Sequence, residues 1–219
     1  LLSVYIDGVG NGTDRDIFSL IHSATVAAAE GDYTGQVDEF HRTYCRSKAT
    51  PLHLAAFCGH QQAAKAMLET YNAASSLAKA TTSNGATPVF IASARAHSNV
   101  LSLLLAVPGV DVDAIIDTGA SPLYVAAQAG SSECVRQLVQ AGATVDRVAR
   151  FGMTPLGIAI CSGVAVGGVA GECSTMDVAH NAVVEILTDF GNPSTAKNAE
   201  NFTVPMLAAL VGDFDALAH

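Results

Sequence analysis

Histidine and cysteine side chains concentrate in one early part of the sequence. Five of them fall within twenty residues: His41, Cys45, His53, Cys58 and His60. Imidazole nitrogen and thiolate sulfur are ligands that zinc prefers, so this group is a candidate metal site. The competing interpretation is that the histidines make structural hydrogen bonds and the thiols pack in a core. The repeat described below favours that interpretation, and we expect no metal.

A nucleophilic cysteine is a second chemistry that these residue types allow. Cys161 or Cys173 could act as a nucleophile if His180 stood beside it as a base. The sequence places no base near either thiol, and no signature of a cysteine enzyme surrounds them. Acidic residues occur singly, without a paired general acid and base. We therefore expect no catalysis within these residues.

Two glycine-rich segments resemble phosphate-binding loops in composition alone. Residues 163–171 lack the Lys-Ser/Thr ending of a P-loop and follow a predicted helix, whereas a P-loop follows a strand. Residues 8–12 likewise lack the dinucleotide-binding fingerprint. We expect no cofactor and no small-molecule ligand.

The composition limits the class of protein. A chain of 219 residues that is 50% hydrophobic can bury a core. The net charge of −9, with only 11 lysines and arginines, argues against a nucleic-acid-binding surface. The five cysteines are odd in number and lack pairing spacing, which favours reduced thiols and a cytoplasmic location.

Neither a membrane span nor a signal peptide is expected. Residues 153–171 carry no charge, but Pro155 and several glycines interrupt them, so we do not interpret them as membrane-spanning. Residues 1–6 lack the charged start of a signal peptide. The sequence does not begin with Met, and we interpret it as part of a longer chain.

One short pattern recurs along the sequence: a hydroxyl residue, then proline, then an apolar residue. It begins at Thr50, Thr87, Ser121 and Thr154, with spacings of 37, 34 and 33 residues. A Thr or Ser side chain can accept a hydrogen bond from the first free amides of a helix, and proline is favoured at the first helical position. Each copy therefore predicts a helix start.

A helix stop follows each start at a constant distance. Eight residues after the proline stand Gly59, Gly130 and Gly163, with Ala96 in the second copy. A second apolar helix and a turn complete each unit, so the chain is predicted to stack a two-helix unit about every 33 residues.

These residues resemble the ankyrin repeat, whose pattern is Gly-x-Thr-Pro-Leu-His-x-Ala-Ala-x-x-Gly-His, then an apolar helix and a Gly-Ala turn. The copy from Gly119 to Arg150 follows it almost throughout. The resemblance implies an all-α solenoid with short β-hairpin turns. It implies one domain over residues 1–219, with repeats at 16–45 (cap-like), 46–82, 83–116, 117–149, 150–199 and 200–219 (incomplete).

The copies depart from the template at several places. The loop after Tyr71 is four residues longer, which lengthens a hairpin turn or its approach. A glycine-rich insertion near residues 164–179 precedes a second helix expected at 180–187. We interpret the insertion as a surface loop, with a partner-binding loop as the alternative. Ala96 and Asn201 replace glycines.

The resemblance implies binding of another protein by the hairpin tips and the exposed side of each first helix. It also gives His53 a bond between neighbouring loops and makes His60 a helix cap. Transferred by position, the candidate contact residues are Arg46, Phe57, Ser83, Asn84, Arg95, Asp117, Thr118, Gln128, Arg150, Phe151 and Met153.

One fingertip combines the residue types that dominate binding energy. Arg150, Phe151 and Met153 form a predicted interface cluster that Phe57 could extend, although Phe151 could instead pack on the neighbouring turn. We therefore expect a non-catalytic interaction scaffold. The alternative is a targeting segment of a larger enzyme, such as a kinase, ubiquitin ligase or acyltransferase.

Overall fold

The computed structural model describes residues 49–70, 74–149, 152–163 and 178–190. Regular structure in these ranges is helical, and they contain no strand. The helices are α1 Pro51–Cys58, α2 Gln61–Thr70, α3 Ala74–Ala78, α4 Pro88–Ala94, α5 Ser98–Leu105, α6 Pro122–Gln128, α7 Ser132–Gln140, α8 Pro155–Gly163 and α9 Val178–Phe190.

The first helix of each unit begins at the predicted hydroxyl-proline pair. The Thr87 hydroxyl oxygen accepts from the amide of Phe90 at 3.1 Å, and the Ser121 hydroxyl oxygen accepts from the amide of Tyr124 at 3.2 Å. Thr154 caps α8 in the same way. These caps leave few free amides at the helix starts, which confirms the sequence interpretation.

Two parallel rows of helices form the stack. The first helices α1, α4, α6 and α8 contact one another in that order, and so do the second helices α2, α5, α7 and α9. The side chains between the rows are apolar and fully buried, each contributing about 1.5–3 kcal/mol. They include Leu52, Leu54, Ile91, Leu101, Leu104, Leu123, Leu138, Ile160 and Leu187.

Tight turns precede the first helices, and we call them fingers. Finger 1 (residues 82–86) is closed by the amide of Thr82 donating to the carbonyl of Ala86 at 2.9 Å. The equivalent bond closes finger 2 (116–120) at 3.2 Å and finger 3 (149–153) at 2.9 Å. Residues 150 and 151 lie outside the described part. All three fingers have the same length.

The longer loop after Tyr71 therefore does not lengthen a finger. Its extra residues instead contribute to α3 in the approach to finger 1, and this helix buries Ala78 completely. The Ser75 hydroxyl donates to the carbonyl of Pro108 at 3.0 Å in the next unit.

Histidines connect the second helix of one unit to the first helix of the unit before it. His97 Nε2 lies 3.0 Å from the carbonyl of Phe57, and His180 Nε2 lies 3.2 Å from the carbonyl of Gln128. Each ring covers the glycine that ends the preceding unit's first helix. A Cβ at Gly59 would lie 2.7 Å from the His97 ring, and one at Gly130 would lie 2.8 Å from the His180 ring.

The insertion does not disturb this contact. Residues 164–177 lie outside the described part, and α9 begins at Val178, two residues before the predicted second helix. No glycine or proline separates Val178 from His180, so the helix includes this part of the predicted insertion. His180 occupies the place on its neighbour that His97 occupies two interfaces earlier.

Ala96 occupies the glycine position in the second unit. Its φ is 58°, in the left-handed region, so α4 ends with the same backbone geometry as its glycine counterparts. The residue at the histidine position of the next unit is Ser131, whose side chain is much smaller than an imidazole ring. The absence of a ring at that position explains why a methyl group is tolerated there.

Substitutions at this position should have opposite effects in neighbouring units. Gly130→Ala adds strain at a φ of 68° and a clash with His180, so we expect a loss of about 2–3 kcal/mol in the free energy of unfolding. Ala96→Gly should increase the free energy of unfolding by about 0.5–1 kcal/mol. Urea unfolding followed by circular dichroism measures both.

The clash with His180 can be separated from the backbone strain. Gly130→Ala combined with His180→Ser recreates the Ala96–Ser131 pair, and its loss should be smaller than the sum of the two single losses. Additive losses would show that the ring and the methyl group do not interact.

Candidate protein-binding surface

The tips of fingers 1 and 2 are exposed and adjacent. Ser83 and Asn84 are exposed in finger 1, and Asp117 and Thr118 are exposed in finger 2. The amide of Asp117 donates to the carbonyl of Asn84 at 3.0 Å. Four of the predicted contact residues are therefore brought together on two turns that are hydrogen-bonded to each other.

The loops that lead into fingers 2 and 3 are joined by the carboxylate of Asp113. It accepts from the amide of Thr144 at 3.0 Å and also from the Thr144 hydroxyl. Arg147 lies 3.5 Å from the same carboxylate. An ion pair at the surface contributes only about 0–1 kcal/mol, but these contacts together fix the two loops relative to each other.

Phe57 lies in the interior of the stack, which corrects the expectation that it lines an exposed groove wall. Its side chain is only 3% exposed, and the guanidinium carbon of Arg95 lies 4.3 Å from the centre of its ring. This is a cation–π geometry, in which the ring supports a half-buried arginine. The repeat register predicts which way the Phe57 side chain points, but it does not reveal that Arg95 of the next unit covers it.

The other predicted contact residues occupy different surroundings. Gln128 is exposed at the end of α6, and Met153 is half-buried at the end of finger 3. Arg46, Arg150 and Phe151 lie outside the described residues.

Two of the exposed apolar residues lie directly beside the fingers and were not predicted. Ile115 is 49% exposed and Val148 is 56% exposed, and each immediately precedes the first residue of its finger. Their spacing of 33 residues places apolar side chains at one register position of two successive units. That recurrence was the available sequence signal.

Comparison with known proteins identifies the family. The family model described as ankyrin repeats (three copies) matches residues 24–116 and 105–167, well over half of the chain. The chain belongs to the ankyrin-repeat family. The all-α ankyrin solenoid implied by the sequence is thereby confirmed, and ankyrin repeats are protein-interaction modules.

The ankyrin stack is similar to short parts of much longer proteins. It is 34% identical over 125 residues to Neurogenic locus notch homolog protein 1 of Xenopus tropicalis, covering 57% of this chain and 5% of that protein. The mouse protein of the same name is 31% identical over 129 residues, covering 59% and 5%. Cortactin-binding protein 2 of Rattus norvegicus is 41% identical over 71 residues, covering 32% and 4%.

In the ankyrin stack His53 has a structural role. Its Nδ1 accepts from the amide of Thr50 at 3.0 Å, and its Nε2 lies 3.1 Å from the carbonyl of Ala86 in finger 1. This confirms the predicted bond between neighbouring loops and leaves neither nitrogen for a metal. In the described part of the chain no three His, Cys, Asp or Glu side chains form a possible metal site. His41 and Cys45 lie outside that part.

The described thiols lack the properties of activated nucleophiles. Burial raises the pKa of Cys58 to about 11, against a smaller opposing effect of Arg95, and it also raises the pKa of Cys134 and Cys161. A reactive cysteine requires the opposite shift. His180 contacts the carbonyl of Gln128. Cys173 lies outside the described residues.

Helices long and apolar enough to cross a membrane are not found in the part of the chain that the structure describes.

Thiol alkylation tests the burial of the stack. At pH 8 we expect Cys58 to react on the order of 100-fold more slowly in the folded chain than in urea, because its thiolate is rare and covered. Peptide mass spectrometry after timed iodoacetamide treatment resolves each cysteine. Equal rates for Cys58 with and without urea would contradict the packing of α1 against α4.

Proposed function

We propose that this chain is a protein-interaction scaffold that binds a partner protein through its finger tips and first-helix groove, without catalysis. The exposed and mutually bonded tips of fingers 1 and 2 carry this proposal. Binding to flexible loops loses free energy because the loops must become ordered. Here the backbone bonds within and between fingers restrict the loops before any partner arrives.

The composition of the finger side supports a protein partner. Polar tips at Ser83, Asn84 and Thr118 can exchange hydrogen bonds with a partner's backbone. Ile115 and Val148 add apolar area beside them. A mixture of polar rim and apolar contact is typical of transient protein interfaces, whereas a small molecule requires a deep cavity.

The groove side contributes a different set of residues. Arg95, supported by the Phe57 ring, and Gln128, exposed at the end of α6, lie along successive first helices. Arg150, Phe151 and Met153 extend the proposed surface to finger 3. Phe57 acts through Arg95 in this proposal and makes no contact with the partner.

The wider setting of the scaffold is also a proposal. The ankyrin family is generally non-catalytic, and the described thiols Cys58, Cys134 and Cys161 are free, which supports a reducing, cytoplasmic environment. The chain spans about 5% of the length of the notch relatives, and a targeting role within a larger enzyme stays a prediction. The boundaries of six repeats stay predictions as well.

Arginines placed on the tips should prevent capture of partners. We expect Ser83→Arg with Thr118→Arg to lose the proteins that the unaltered chain enriches from extract, because bulk and charge enter the contact area. The matched control is Asn99→Arg with Gln140→Arg, which adds the same charge to exposed positions of α5 and α7. Quantitative mass spectrometry of captured proteins compares the two. Equal retention by both variants would place binding elsewhere.

Finger 3 offers a test that separates binding from packing. If Arg150 and Phe151 contact the partner, Arg150→Ala with Phe151→Ala should lose captured partners while the melting temperature changes little. If Phe151 instead packs on the neighbouring finger, Phe151→Ala alone should lower the melting temperature by several degrees. Thermal unfolding by circular dichroism distinguishes these outcomes.

A further inference from the structure

Three of the described histidines lie at one interface of the stack, between the α1–α2 pair and the α4–α5 pair. They are His53 and His60 from the first pair and His97 from the second. At the positions equivalent to His53, later units carry Phe90, Tyr124 and Gly157. This interface, which we call the first joint, therefore has a composition that its successors do not share.

The contacts of His53 require a neutral ring. Its Nδ1 accepts from the Thr50 amide, so the proton must be on Nε2, which donates to the carbonyl of Ala86. A proton on Nδ1 would face the N–H of Thr50 and remove this bond. The ring is completely buried, so water cannot solvate a positive charge there.

The other two histidines would repel each other when charged. His97 covers Gly59 and bonds to the carbonyl of Phe57. Burial lowers the pKa of His60, and the nearby His97 lowers it further. Burial also lowers the pKa of His97, with Arg95 adding to the effect and the bond to Phe57 opposing it.

Charged side chains are few in the described elements around the joint. The α1 helix contributes the neutral thiol of Cys58, and Arg95 directly follows α4. The α2 helix contributes Lys65 and Glu69, which are mostly exposed and lie 3.7 Å from each other. Helices α3 and α5 and finger 1 contain no Asp, Glu, Lys or Arg. Protonation would therefore accumulate positive charge at the joint.

We propose that the first joint is acid-sensitive: when its histidines take up protons, the α1–α2 pair separates from the α4–α5 pair while helices α6 to α9 stay stacked. Phe57 and Arg95 belong to opposite sides of this joint. When the joint opens, the Phe57 ring separates from Arg95, and this arginine loses the ring that supports it. Acid would then change the proposed binding surface as well as the stability of the stack.

The direction of the pH dependence follows from where the proton binds. Burial lowers the pKa of His53 from 6.5 to about 4, so the separated state binds more protons between these two values. The joint is fully stable above pH 6.5 and weakens as the pH falls toward 4. His60 and His97 shift in the same direction and add to the effect.

Hydrogen exchange of the full chain at pH 7.0 and pH 5.5 tests the proposal while staying above the sequence pI of about 5.0. After correction for intrinsic rates, protection of α1 and α2 should fall roughly tenfold from the His53 shift alone. Protection of α6 and α7 should change much less. An equal loss across all helices would overturn the proposal, because it indicates unfolding of the whole stack.

Variants that copy the later units provide the second arm. His53→Phe with His97→Ser introduces the residues found at Phe90 and Ser131, and it should remove most of the pH dependence of α1 and α2. The matched control His180→Ser alters the equivalent contact at a distant interface and should leave that dependence unchanged. If the double variant keeps the dependence of the unaltered chain, the proposal is wrong.

A titration of the unaltered chain avoids reliance on the double variant folding. Imidazole proton resonances followed by nuclear magnetic resonance should show His53 titrating well below 6.5. A His53 that titrates near 6.5 would overturn the proposal. His97→Ser alone serves as a milder variant and should reduce the pH dependence in part.

Discussion

A pair of helices as short as Pro122–Gln128 and Ser132–Gln140 has apolar side chains on more than one side and cannot cover them alone. The neighbouring pairs must cover what remains. Each unit is therefore stable only through its interfaces, and the structure behaves as a chain of nearest-neighbour contacts. Where these interfaces carry specific polar groups, local changes have local consequences.

Different polar groups connect different parts of neighbouring units. Histidines bridge helix ends, Asp113 bridges the loops before two fingers, and backbone amides bridge the fingers themselves. None of these contacts would be strong alone on an exposed surface. Because they act together at the same interfaces, they hold the fingers at constant spacing. That constancy gives a partner a fixed pattern of contact points.

Much of the fold could be predicted because its signals are local. Thr-Pro and Ser-Pro pairs specify helix starts by capping and by a preset φ, and the structure places helices at each described copy. The helix α3 could not be predicted, since five residues are too few to form a helix by themselves and this helix depends on burial of Ala78. The left-handed Ala96 is likewise explained only by the neighbouring unit.

The candidate surface was less predictable than the fold. Tips such as Asn84 and Thr118 are exposed because a turn of fixed length must project them, and register alone gives that result. The burial of Phe57 could not be predicted, because the ring is covered by Arg95 of another unit, 38 residues later in the sequence. No local pattern encodes that contact. The recurrence of Ile115 and Val148 at one register position is visible in the sequence, but only the structure shows that these side chains are exposed.

The glycine of one unit must accommodate the histidine ring of the next, and this requirement limits the order in which the units can follow one another. A unit that ends its first helix in glycine can precede one that carries histidine, as Gly59 precedes His97 and Gly130 precedes His180. A tandem duplication of residues 83–116 would set a second copy of His97 against the methyl group of Ala96. Recombination between units could therefore lengthen this protein at some junctions but not at others.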